Sequence, residues 1–177
     1  MGLDSFTVKD KVVVVTGSSQ GIGRALALGF AREGAKVVIN SRKMEKLEPI
    51  VKEIEAMGAE VLAVQADMRK YEEVAGMMQK VKERFGRIDL LINNAGGSFG
   101  HTLAELSPNG FDAVVRNNLN QVFYCCHAVR PIMEAQGGGR IINIASVAGL
   151  RATPGLGAYG AAKAGVINLT QTLSEEW

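Results

Sequence analysis

Two textures alternate along the chain. Short runs of consecutive apolar, mostly β-branched residues are each followed by a longer stretch in which apolar positions recur at every third or fourth place. Val12, Val13, Val14 and Val15 form the first run, wholly apolar, which suits a strand buried on both faces of a parallel sheet. Residues 36–40 (KVVIN), 60–64 (EVLAV), 89–92 (DLLI) and 140–144 (RIINI) repeat that texture. The helical stretches fall between them. From Ile22 onward, Ile22, Leu26 and Phe30 with the small Ala25 and Gly29 share one side, and Gly34 supplies the stop. Residues 44–57 carry Leu47, Ile50, Val51, Ile54 and Met57, with Pro49 either kinking that helix or lying in its first turn. Residues 71–85 place Val74, Met77, Met78, Val81 and Phe85 on one face, the methionines as core filler. A helix is predicted over 108–133 with Pro131 a candidate break, a flexible connection over 137–139, and a last helix over 158–177.

Regular alternation of strand and helix with short connections implies parallel strands joined by right-handed crossovers, an α/β doubly wound sheet of expected order 3-2-1-4-5. A single domain over 1–177 is expected. Ligands of such sheets lie beyond the C-terminal strand ends, where the strand order reverses, here between the first and fourth strands. Each strand end carries polar or glycine residues: the loop after Val15, Ser41 and Arg42, Asp67 and Met68, Asn93-Asn94-Ala95-Gly96, and Ser146.

Composition narrows the partners. A formal net charge of +2 with acids and bases interleaved gives no basic field for nucleic acid or an anionic membrane. No apolar run approaches a membrane span. The N-terminal MGLDSFTVKD has no apolar core of a leader, and Phe6 breaks the myristoylation pattern, so a cytoplasmic location is expected. Cys125 and Cys126 are adjacent in a helical pattern and read as reduced packing residues; with His101 and His127 isolated, no metal is assigned.

The chemistry begins at Gly17, Gly21 and Gly23, which let the loop between the first strand and the first helix turn sharply and approach a ligand. The helix N-terminus behind the loop, with Ser18, Ser19 and Gln20 on the turn, is how proteins hold a phosphate or pyrophosphate, although such turns also serve only to close tight packing. Tyr159 and Lys163 stand one helical turn apart on one face. An ammonium beside a phenol favours the phenolate, which suits proton transfer in a partly desolvated site; an isolated pair of this spacing is also an ordinary helix surface.

Taken together, Thr16-Gly17-x-x-x-Gly21-Ile22-Gly23, Asn93-Asn94-Ala95-Gly96, Asn118 before Leu119, Ser146 and Tyr159-x-x-x-Lys163 resemble, in order and context, the classical short-chain dehydrogenase/reductase family, from Lys11 to Trp177. The resemblance implies a Rossmann-like domain. Tyr159 would be the general acid/base, Lys163 would favour its phenolate and hold the nicotinamide ribose, Ser146 would orient the reacting oxygen, and Asn118 would fix a water joining Lys163 to solvent. Gly17, Ser19, Gln20, Gly21, Ile22, Gly23, Ala95 and Gly96 would line the dinucleotide, Asp67 and Met68 would lie near the adenine, and Asn94 would contact the adenine ribose. Ser41 stands where an acid would repel a 2′-phosphate, and Arg42 follows it, so NADP(H) is expected over NAD(H).

The family pattern continues past the Tyr-Lys helix into further strands that complete the substrate pocket, so the resemblance implies a sheet whose later strands are absent here. The expected function is hydride transfer between nicotinamide and a carbonyl or secondary alcohol of a small molecule, in a homodimer or homotetramer built on the last two long helices. A cofactor-binding module without activity and an enoyl-thioester reductase are the alternatives.

Overall fold

A computed structural model describes residues 7–177; residues 1–6, with the leader and acylation readings made on them, lie outside it. The chain forms β1 (Val12–Val15), α1 (Gly21–Arg32), β2 (Lys36–Ser41), a 3-10 turn (Met44–Lys46), α2 (Glu48–Ala56), β3 (Val61–Gln65), α3 (Tyr71–Phe85), β4 (Leu90–Asn93), α4 (Pro108–Val115), a π-turn (Arg116–Asn120), α5 (Gln121–Ala135), β5 (Arg140–Asn143), a second 3-10 turn (Val147–Gly149) and α6 (Gly157–Glu176). The five strands make one parallel sheet in the order β3-β2-β1-β4-β5, with Val13 opposite both Val37 and Leu90 and with Leu90 opposite Arg140. This is a doubly wound, Rossmann-like sheet.

The valine run is split between two cores by the alternation of a strand. Val13 and Val15 join Val37, Ile39, Leu90 and Ile92 under α1 and α2, while Val12 and Val14 face Met77, Met78, Val81, Cys125 and Val129 of α3 and α5. A third, smaller cluster of Val122, Cys126 and Val166 joins α5 to α6. Both cysteines are free and buried; burial pushes the Cys125 thiol up and the Cys126 thiol to about 11, as packing residues require. Among the described residues β5 pairs with β4 alone, and Ile142 on it is 47% exposed. Among the described residues no helix is long and apolar enough to cross a membrane, and no cluster of His, Cys, Asp or Glu could hold a metal ion.

Several expectations are corrected. The fully buried residues of α1 are Gly23, Ala27, Leu28 and Ala31; Leu26 and Phe30 pack partly against the same core, while Ile22 turns outward and is 63% exposed. The cause is the close approach at Gly23, where a Cβ would lie 2.4 Å from Asn94 Nδ2 and 2.5 Å from the Gly17 carbonyl oxygen. That contact sets the phase, and small residues follow it at four-residue steps. The helix expected over 44–57 begins as the 3-10 turn and becomes α2 at Glu48, with Pro49 in its first turn. Pro131 does not break α5; it and His127, whose carbonyl it leaves without an N–H, both lie on the exposed face. The long helix is interrupted instead at Arg116–Asn120, a π-turn that the hydrophobic pattern does not announce.

Candidate active site

The loop after β1 is tied down by side chains on both neighbouring strands. Thr16 Oγ1 accepts from the backbone N–H groups of Asn94 and Ala95, each at 3.0 Å. Asn94 Nδ2 returns the contact by donating to the carbonyls of Thr16 and Gly17 at 2.9 and 3.2 Å. The Ser18 hydroxyl, expected on the phosphate side, turns inward, donating to the Val15 carbonyl at 2.9 Å and accepting from the Asn40 N–H at 2.7 Å. Asn40, buried and unremarked in the sequence, donates from Nδ2 to the Val64 and Ala66 carbonyls at 3.1 Å and accepts the Gly17 N–H at 3.3 Å. One amide thereby joins the ends of β1, β2 and β3.

The loop then opens onto a cleft of about 650 Å³ at the C-terminal strand ends. Ser19 and Gln20 line it with Gly17, Gly21, Ile22 and Gly23; Ser41 and Arg42 enter from β2, Asp67 and Met68 from beyond β3, and Asn94, Ala95 and Gly96 from beyond β4. The cleft also takes in Asn40, Lys43, Lys46, Asn117 and Gln121, none of which the sequence singled out as site residues. Gly17 has φ +63° and sits so close to Ala95 that a Cβ would meet its Cα at 2.7 Å. Gln20 makes no side-chain capping bond at the start of α1, and the first turn holds no acid, so the N–H groups and positive dipole end of the helix are open to the loop. A cradle with glycine at Gly17, Gly21 and Gly23 in front of an open helix end fits the phosphates of a dinucleotide.

Charge on the cleft rim is mostly positive. Arg42, Lys43 and Lys46 stand on the β2 side, and the one acid opposite, Asp67, is gripped by Arg69 through Nε and the terminal nitrogen. The Arg69 hydrogen bond holds the Asp67 carboxyl below the usual carboxylate range, against the opposing effect of burial, with Arg42 assisting through its charge.

Ser146, Tyr159 and Lys163 are not on the lining of that cleft; they stand beyond β5, around the start of α6. Lys163 is buried, its Nζ donating to the Ile144 carbonyl at 2.6 Å and lying 5.7 Å from the centre of the Tyr159 ring. Burial lowers the Lys163 pKa from the ordinary lysine value. Ser146 caps the 3-10 turn, its Oγ accepting the Ala148 N–H at 3.2 Å. That turn lies flush on α6 because Gly149 and Gly160 have no side chain: a Cβ on Gly149 would meet the Ala164 nitrogen at 2.8 Å, and one on Gly160 the Ala148 carbonyl oxygen at 2.7 Å. Glycines outside any recognised motif therefore seat Ser146 beside the helix that carries Tyr159.

Asn118 is wholly buried in the π-turn. Its Nδ2 donates to the carbonyls of Val114 and Gly97, each at 2.8 Å, and its Oδ1 accepts the Gly97 N–H at 3.1 Å. The side chain is thus committed to main-chain groups.

A family model described as short chain dehydrogenase matches residues 11–177. The chain belongs to the short-chain dehydrogenase family. As a member it is an oxidoreductase acting on C=O and CH–OH groups. The 3-oxoacyl-[acyl-carrier-protein] reductase FabG of Staphylococcus epidermidis is 42% identical over 168 residues, which are 94% of this chain and 69% of the relative. The 3-oxoacyl-[acyl-carrier-protein] reductase of Synechocystis sp. is 44% identical over 167 residues, 94% of this chain and 68% of the relative. Among solved structures, levodione reductase superposes with a TM-score of 0.91 at 36% identity, covering 96% of this dehydrogenase chain and 67% of the other. The chain spans about two thirds of the length of each of these relatives.

Proposed function

We propose that this protein is an NADP(H)-dependent carbonyl reductase whose substrates are 3-oxoacyl thioesters, with residues 1–177 forming its dinucleotide-binding domain. The single observation that carries the reading is the buried Lys163 ammonium nitrogen beside the Tyr159 ring. Bound NADPH supplies the hydride. Tyr159 Oη donates the proton that the reduced carbonyl oxygen takes up, and the Lys163 charge, strengthened by its dry setting, favours the phenolate left behind. The Ser146 hydroxyl orients the reacting oxygen. Arg42 receives a 2′-phosphate with Lys43 and Lys46 nearby, and the neutral Ser41 does not repel it.

The choice of an acyl substrate follows the relatives and agrees with the apolar rim around α6. Phe99, Leu103, Val147 and Leu150 are all exposed on the loops after β4 and β5, and those loops meet where the His101 N–H donates to the Gly155 carbonyl at 3.0 Å. A homodimer or homotetramer in the cytoplasm, built on the outer faces of α5 and α6, fits the exposed Phe123.

The test follows nicotinamide absorbance with NADPH and a 3-oxoacyl thioester, the matching enoyl thioester and a simple cyclic ketone. Oxidation with the first supports the reading. Turnover of the enoyl thioester alone would make the protein an enoyl reductase, and cofactor binding without turnover of any of the three would make it a binding module.

A further inference from the structure

Gln121 begins α5 directly after the π-turn and is only 3% exposed, yet it reaches the lining of the cleft. Its Nε2 donates to two carbonyls, those of Ala95 and Asn117. Because both partners can only accept, the NH₂ end of the amide is fixed by its surroundings. The Asn117 carbonyl lies four residues back along a turn whose N–H groups reach back five, and the Asn118 amide takes the Val114 carbonyl in the same way. The two side chains supply donors to carbonyls at the widened turn.

The second bond of Gln121 carries that turn to the cleft wall. Ala95 abuts Gly17 of the phosphate loop, and its N–H is held by Thr16. Beyond Ala95, Gly96 and Gly97 have φ of +159° and +154°, a backbone with little stiffness of its own. It is held by Asn118 and by Asn117, whose Nδ2 donates to the Gly97 carbonyl at 3.3 Å. Gln121 therefore links three things in series: the π-turn, the segment after β4, and the loop that cradles phosphate.

We propose that Gln121 is a positioning residue for the dinucleotide, fixing the Ala95–Gly97 wall of the cleft at the distance the cofactor requires without taking part in the chemistry. The proposal rests on the NADP(H) reading above. Gln121→Met keeps the bulk and removes the donor; Gln121→Glu puts a carboxylate against two carbonyls at neutral pH but regains one donor when protonated.

In the full-length protein, NADPH dissociation constants would be measured by fluorescence titration, alongside circular dichroism of the unliganded protein and kcat at saturating cofactor. Gln121→Met is expected to weaken NADPH binding about tenfold, the effect of leaving a buried acceptor unpaired, with an unchanged dichroism spectrum and kcat within about twofold of native. Gln121→Glu is expected to bind still more weakly at neutral pH and to recover past the Gln121→Met value towards native on acidification, over and above the pH dependence that the native protein and Gln121→Met share through the 2′-phosphate. Binding by Gln121→Met within about twofold of native, or a fall in kcat as large as the fall in affinity, would overturn the proposal. Loss of the native spectrum in both variants would assign Gln121 to the fold and overturn it equally. A native protein that binds no NADPH would instead overturn the cofactor reading, and this inference with it.

Discussion

Lys163 Nζ is held by the carbonyl of Ile144 at 2.6 Å while it stands 5.7 Å from the centre of the Tyr159 ring, so the segment that leads from β5 to Ser146 also fixes the cation beside Tyr159. Removing either partner has a distinct signature. Tyr159→Phe is expected to lower turnover by about 10²- to 10⁴-fold, the usual worth of a positioned proton donor, with cofactor affinity nearly unchanged. Lys163→Ala is expected to lower both. Steady-state kinetics with a cofactor titration check this, and a Tyr159→Phe enzyme that keeps most of its activity would eliminate the proton-donor role.

The burial of Lys163 also shapes the stability of the fold against pH. Its native pKa lies below that of the unfolded chain, about 10.4 for a free lysine. Between the two values the unfolded state binds more protons, so stability rises with pH across that alkaline window, and the cost of burying the charge is fully present below it. Lys163→Met should flatten this rise. Denaturant midpoints of the native and variant proteins at a series of pH values give the comparison; parallel profiles would contradict it.

Selectivity between the two nicotinamide dinucleotides should reside at the end of β2. Ser41→Asp combined with Arg42→Ala removes a guanidinium and adds an acid beside the ribose position, and is expected to shift the ratio of NADPH to NADH affinity by about 10- to 100-fold towards NADH, the worth of one charge-assisted contact. Direct titration with each dinucleotide measures this ratio. An unchanged ratio would mean that Ser41 and Arg42 do not read the phosphate.

Gly23 is a matter of space rather than of backbone angle. Its added Cβ would sit 2.4 Å from Asn94 Nδ2 and 2.5 Å from the Gly17 carbonyl oxygen, a clash with the two groups that fix the phosphate loop. Gly23→Ala should therefore cost about 1–3 kcal/mol of stability, as overpacking does, and weaken cofactor binding as the loop shifts. Thermal denaturation with and without NADPH would show both, and a variant with native midpoints in the two conditions would refute the claim.

The sequence carried the order of the elements well because buried parallel strands leave unbroken apolar runs, and because each run ends in residues that the sheet brings to a common edge. The residues read there from Gly17 to Gly96 line one cleft, save Ser18, which turns into the sheet, while Tyr159 and Lys163 stand apart beyond β5. What escaped notice has a shared physical cause. Asn40, Gln121 and the glycines Gly149 and Gly160 act through contacts with main chain far away in sequence or through the absence of a side chain, and neither leaves a periodic mark. The phase of α1 belongs with them, since the close approach at Gly23 puts Ala27 and Ala31 innermost, leaving Leu26 and Phe30 partly buried and Ile22 exposed.

The π-turn at Arg116–Asn120 has a consequence for how this chain can vary. A widened turn holds one residue more than regular helical spacing allows, and each residue of an α-helix turns its successors by about 100°. Deleting one residue there would yield a smoother helix, richer in regular hydrogen bonds, running from α4 into α5. Because the wider turn absorbs that extra residue, the two halves would keep nearly the phase they have now, and Val122, Cys125 and Cys126 would stay in the cores they fill. What would go is the bulge itself: the carbonyls of Val114 and Asn117 would return to regular helical partners, and the Asn118 and Gln121 amides would lose the turn that aims them at Gly97 and Ala95. The irregular turn thus gives one residue over to the cleft wall while leaving the helix on either side timed to the sheet.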